Sequence, residues 1–259
     1  MSEALHAEWT KLRTLPATWW LLLGVVAATV IIGATVSASV SCTPAAACHA
    51  DVTKLSLTGT YLGQAAIAIV AVLAVSGEYA TGMIATTLAA MPRRTTVLAA
   101  KAGVVTAVTL AAGLPAVLGS VLAGRLILPG HGYASANGYP ALSLASGTVL
   151  RAAAGTVLYL ALIALLSLGV ATAIRDSAVA IGAVLGLLYL FPILAQVAGN
   201  PAVARHLQQI GPMTAGLQIQ ASTGLRSLPI GPWAGLGVAA AWAAAALAAG
   251  ALALCRRDA

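Results

Sequence analysis

Charge is what this sequence has least of. Its 259 residues include 13 Lys and Arg and 6 Asp and Glu, 7% in all, where ordinary soluble domains carry about 25%. Hydrophobic residues make up 60%, more apolar surface than a domain of this size can hide from water. Disorder is excluded as well, because it needs low hydrophobicity and high charge. What remains is an integral membrane protein. The net charge of +7 is spread along the chain without a basic patch or an aromatic stacking platform, which argues against nucleic acid as a partner. Positive-inside topology and anionic headgroups account for it better.

The chemistry of a site is equally sparse. The four histidines, His6, His49, His131 and His206, are scattered between the apolar runs. There is no H-E-x-x-H metal motif, no G-x-S-x-G nucleophile elbow and no Walker-type phosphate loop. No catalytic residue and no metal ligand is therefore assigned.

What the sequence has instead is long charge-free runs. At about 20 residues per crossing, they predict six transmembrane helices near 17–38, 57–76, 102–122, 152–173, 178–198 and 233–254 of a single all-α transmembrane domain over 1–259. None of these predicted spans holds Asp, Glu, Lys, Arg or His in its interior, whereas ion-coupled transporters usually place such groups at membrane depth. Leu126–Leu150 and His206–Leu225 also lack charge, but their Pro, Gly, Asn and Gln content reads as connecting chain. With the N-terminus inside, Lys11, Arg13, Arg93, Arg94, Lys101, Arg175, Arg256 and Arg257 face the cytoplasm. Lys54, Arg125, Arg151, Arg205 and Arg226 face out, in longer loops, so the positive-inside rule favours N-in, C-in. Trp19-Trp20 and Trp233 fall at predicted span ends, where indoles favour the interface. The first apolar run exceeds a signal-peptide core and is read as an uncleaved span.

Two segments on the cytoplasmic side stand out. In Ser2–Leu15, Leu5, Trp9 and Leu12 share one helical face, which fits either a short amphipathic helix in the membrane interface or a basic tail. In Gly77–Lys101, Ile84, Leu88 and Met91 recur at helical spacing between Gly82 and Pro92. That pattern fits either a short helix docking in a partner's groove or a solvated basic loop.

Glu78-Tyr79, Gly82, Ile84, Thr87-Leu88, Pro92-Arg93-Arg94 and Lys101 together resemble the cytoplasmic loop of ABC transporter permeases of the type-2 exporter class, especially actinobacterial ones. Glu8-Trp9-Thr10-Lys11-Leu12-Arg13, followed by Thr18-Trp19-Trp20, is similar to the start of that family. The six-span layout agrees over the whole chain. Ala85 stands where relatives often carry a polar or basic residue. The resemblance implies a membrane-spanning subunit of an ATP-driven exporter in the bacterial cytoplasmic membrane. Leu5, Glu8, Trp9, Lys11, Leu12 and Arg13 would belong to an interfacial helix, and Glu78, Tyr79, Gly82, Met83, Ile84, Thr87, Leu88, Met91, Pro92, Arg93 and Arg94 to a coupling helix. Two permease subunits, identical or not, would work with two copies of a separate ATP-binding subunit. That subunit would hold ATP and Mg, leaving no cofactor and no ATPase site in this chain. Gly199–Pro232 would form re-entrant external helices. A non-transport scaffold or sensor is the other reading, and an ion-coupled carrier a third.

Three weaker signals remain. Cys42 and Cys48 flank a short external loop; a disulfide there would add roughly 2 kcal/mol, and free thiols are the alternative. Arg175-Asp176, in the turn between spans four and five, reads as a local ion pair or a second contact to the ATPase. Arg151, at a span end, is read as snorkelling to the headgroups.

Overall fold

The computed structural model describes residues 16–42, 50–83, 94–134, 137–139 and 141–256. Among them every regular element is helical. The elements run α1 (Pro16–Ser39), α2 (Val52–Ser56), α3 (Thr60–Ala80), α4 (Arg94–Ile127), α5 (Gly147–Ile174), α6 (Ser177–Val197), α7 (Pro201–Ile210), α8 (Pro212–Gly216) and α9 (Pro232–Arg256). Short 3-10 turns follow α4 at Leu128–His131 and α8 at Leu217–Gln220. Six of the helices, α1, α3, α4, α5, α6 and α9, are long and apolar enough to cross a membrane.

Helix boundaries follow local chemistry. Pro16, Pro201, Pro212 and Pro232 open their helices, where the missing N–H costs nothing. Asp51, Asp176 and Asn200 cap α2, α6 and α7 with their side-chain oxygens. Pro115 and Pro192 lie inside α4 and α6, as helices in lipid tolerate.

The starts of the second and third spans differ from their expected limits. The second begins at Thr60 rather than near residue 57, because Asp51 nucleates the separate turn α2 and Gly59 follows it. The third begins at Arg94, eight residues before the expected 102, and runs for 34 residues. At about 1.5 Å per residue it is about 51 Å long, so it extends past a hydrocarbon core of about 30 Å. Lys101 therefore lies within a helix and is only 4% exposed, and Glu78, near the end of α3, is 7% exposed. Both lie outside the predicted spans 57–76 and 102–122 but inside the longer helices α3 and α4.

The most enclosed element is α5. Its Tyr159, Leu160, Ile163, Leu166 and Leu168 are fully buried against α9, α3, α4 and α6. Close approach depends on small residues. A Cβ on Gly169 would lie 2.4 Å from the backbone of Ala246, and one on Gly250 would lie 2.7 Å from the Gly169 carbonyl oxygen. The flanking helices turn apolar side chains outward, such as Ile31 of α1, Ile193 of α6 and Leu252 of α9, as a lipid-facing surface requires. The bundle has two unlike ends. One carries the end of α3, the start of α4, the 175–176 turn and the end of α9, and is called the tight end. The other carries α2, the turn after α4 and the segment 198–231, and is called the capped end.

Candidate functional site

At the tight end, charge is gathered and neutralised. Lys101 Nζ lies 2.6 Å from Glu78 Oε1, with the two side chains only 5% and 8% exposed. The pair joins the end of α3 to the first turns of α4, on either side of the segment 84–93. Removing such charges from water costs several kcal/mol per ion, which the partner offsets only when geometry is good. The two charges therefore hold each other in place.

Arg94, at the start of α4, donates to the Leu254 carbonyl at 2.7 Å. Arg175 donates to the Ala253 carbonyl at 3.4 Å and lies 5.3 Å over the Tyr79 ring, a cation–π distance. These carbonyls belong to the last turn of α9, where backbone oxygens lack helical partners and the dipole favours cations. Arg175 does this from a left-handed backbone, φ 67. Asp176 is spent on capping α6, accepting from Val179 N at 2.8 Å. Arg175 thus reaches across the bundle while its neighbour caps a helix, an arrangement the sequence reading of a local pair did not contain. Gly82 turns the chain out of α3 with φ 70, and Met83 beyond it is 44% exposed.

These contacts tie α3, α4, α9 and the α5–α6 turn into one base from which 84–93 departs. Glu78, Tyr79, Gly82, Met83 and Arg94 of the expected coupling set are placed there. Ile84, Thr87, Leu88, Met91, Pro92 and Arg93 lie outside the described residues, as do Leu5, Glu8, Trp9, Lys11, Leu12 and Arg13.

The capped end is held by a second polar cluster. The Asp51 carboxylate accepts from Ser222 N at 2.5 Å, Ser222 Oγ at 2.6 Å and Thr223 N at 2.9 Å, besides Thr53 N and Lys54 N of α2. Burial pushes its pKa up, but these donors, the Ser222 hydroxyl foremost, outweigh it and hold the group below 3.8. Burial lowers the Lys54 ammonium and Asp51 opposes the shift; Lys54 Nζ donates to Gln218 Oε1 at 3.3 Å. Arg151 donates to the Ala221 carbonyl at 2.5 Å, so the residue read as snorkelling is bound to the chain itself. α5 begins at Gly147, earlier than the expected 152, and carries Arg151 into reach. Cys42 is disulfide-bonded; Cys48 lies outside the described residues. Cys42 N donates to the His131 carbonyl at 2.9 Å, and Gly132, φ 91, sits where any Cβ would strike the Cys42 carbonyl.

Neutral polar groups inside the bundle were missed by a search for charge. Tyr159 donates to Gln64 Oε1, and Tyr189 to the Tyr61 carbonyl. Gln64 Nε2 and both amide atoms of Gln220 are buried without a partner among the described residues. The signal for Gln64 was present, an amide in an otherwise apolar run, though nothing in the sequence named its partner.

Among the described residues no group of three or more His, Cys, Asp or Glu could hold a metal ion. A scan against protein-family models finds no match, and a search of curated proteins finds none.

Proposed function

We propose that this chain is the membrane-spanning permease subunit of an ATP-driven exporter, with both termini and the tight end in the cytoplasm. The observation that carries the reading is the closed set of contacts around 84–93. A short segment with apolar residues at helical spacing leaves a base in which Glu78 and Lys101 are paired and α9 is tied by Arg94. A push on such a segment moves α3 and α4 together, because separating them would leave buried charges bare, and carries α9 through the Arg94 bond.

In this reading a separate ATP-binding subunit, present in two copies, grips Ile84, Leu88 and their neighbours and supplies ATP and Mg. A second permease subunit completes the pathway. Closure of the ATP-binding pair then switches the bundles from inward- to outward-facing. The resemblance of Glu78-Tyr79, Gly82 and Pro92-Arg93-Arg94 to type-2 exporter permeases supports the same assignment.

The test is Ile84→Asp combined with Leu88→Asp. It is expected to abolish copurification with an ATP-binding subunit encoded alongside, and ATP-dependent export with it, while the bundle stays folded. Unchanged association and transport would sink the proposal. Export is further expected to stop with vanadate and to survive an uncoupler, whereas an ion-coupled carrier behaves the other way.

A further inference from the structure

At the capped end, a cavity of about 290 Å³ opens beside the last turn of α4, lined by Val52, Arg125, Leu128, Tyr133 and Leu142 among others. Its size is near the low end of small-ligand sites, roughly 300 Å³ and upward. The floor is apolar and firm: Leu128 is fully buried and Val52, Tyr133 and Leu142 are each 5% exposed. Gly124 explains why the walls meet. A Cβ there would lie 2.4 Å from Ser56 Cβ and 3.2 Å from Leu142 Cδ1, so α2 and α4 touch directly beneath the cavity.

Arg125 is the only charged side chain among the described lining residues. It is exposed and makes no hydrogen bond or ion pair among the described residues. The other guanidiniums that meet the bundle behave differently: Arg94, Arg151 and Arg175 all end on backbone carbonyls. Leu126, next in the chain, is 73% exposed, which places this rim against lipid. Arg125 lies in the last turn of α4, a helix longer than a hydrocarbon core, where headgroup depth is expected for a spanning helix.

We propose that this cavity binds an anionic phospholipid, with the phosphate on the Arg125 guanidinium and the upper part of an acyl chain against Val52, Leu128 and Leu142. Guanidinium forks suit phosphate oxygens, and at this depth lipid phosphate is the abundant anion. An apolar pocket next to an unpaired cation matches an amphiphile better than a free ion, which would gain nothing from the buried walls. The inference is independent of the exporter reading.

The experiment is native mass spectrometry of the full detergent-solubilised chain, titrated with phosphatidylglycerol, phosphatidylcholine or inorganic phosphate. Phosphatidylglycerol is expected to be retained at least several-fold over phosphatidylcholine, and inorganic phosphate not at all. Arg125→Gln should lower phosphatidylglycerol to the phosphatidylcholine level, while Arg226→Gln, at another exposed basic position of the same end, should leave it unchanged. Ala141→Trp, which fills the cavity and keeps the guanidinium, should lower it too. Equal retention of the two lipids by the wild-type chain, or full retention by Arg125→Gln, would overturn the site. Full retention by Ala141→Trp would overturn the role of the cavity, and retention of inorganic phosphate would overturn the requirement for an amphiphile. Unchanged thermal unfolding of the variants keeps each result interpretable.

Discussion

Glu78 and Lys101 are 23 positions apart, and each alone would be an expensive charge in a buried place. Glu78→Gln should therefore cost about 3–5 kcal/mol, the usual result of leaving one ion of a buried pair unmatched. Glu78→Gln with Lys101→Met should recover most of that loss. Thermal unfolding of the purified chain in one detergent gives the comparison; equal losses in the single and double variants would show that the pair does not act as a unit. The residues of this base were legible individually as loop-flanking charges. Their pairing was not, because sequence spacing says nothing about which of several basic residues an acid meets once two helices fold back. The interior amide of Gln64 escaped for a different reason: a neutral group does not interrupt a charge-free run.

At the scale of elements, the capped end depends on one carboxylate. Asp51 bonds both the start of α2 and the chain at Ser222-Thr223, so Asp51→Asn should loosen 217–223 and leave the spans intact. Amide exchange should then rise several-fold in 217–223 and remain unchanged in α5. Acid should mimic the variant, because the native pKa is depressed below 3.8. Its stabilisation is complete above the ordinary carboxylate value, declines as pH falls below it, and is gone beneath the native value. Exchange in 217–223 that stays constant from pH 7 to pH 3, after correction for intrinsic rates, would contradict this. Along the α5–α9 crossing, close approach depends on Gly169 and Gly250. Gly169→Leu should force these helices apart and lower the unfolding temperature by several degrees, since its Cβ alone would enter the backbone of Ala246. Element positions were legible from charge-free runs, and their ends were not. Capping by Asp51 and burial of Lys101 moved two starts by three and eight residues, and a run of apolar letters carries neither event.

Over the whole molecule, the two ends do different work with the same few charges. The tight end converts them into a closed base, and the capped end uses Asp51, Lys54 and Arg151 to hold 217–223 down. Arg125, at the rim of the cavity, makes no hydrogen bond or ion pair among the described residues. The Glu78–Lys101 pair also bears on how the chain is made. A helix entering lipid with a bare Glu or Lys is penalised by up to about 2.5–3.5 kcal/mol for a basic or acidic residue at full depth, less near the interface. These two residues sit on consecutive helices joined by a short segment, so each cancels the other's penalty only when α3 and α4 enter together. The bundle should therefore be assembled with α3–α4 inserting as a hairpin. A nascent chain ending before Lys101 is expected to hold α3 less firmly in the membrane, by alkaline extraction, than one extended through Ile127.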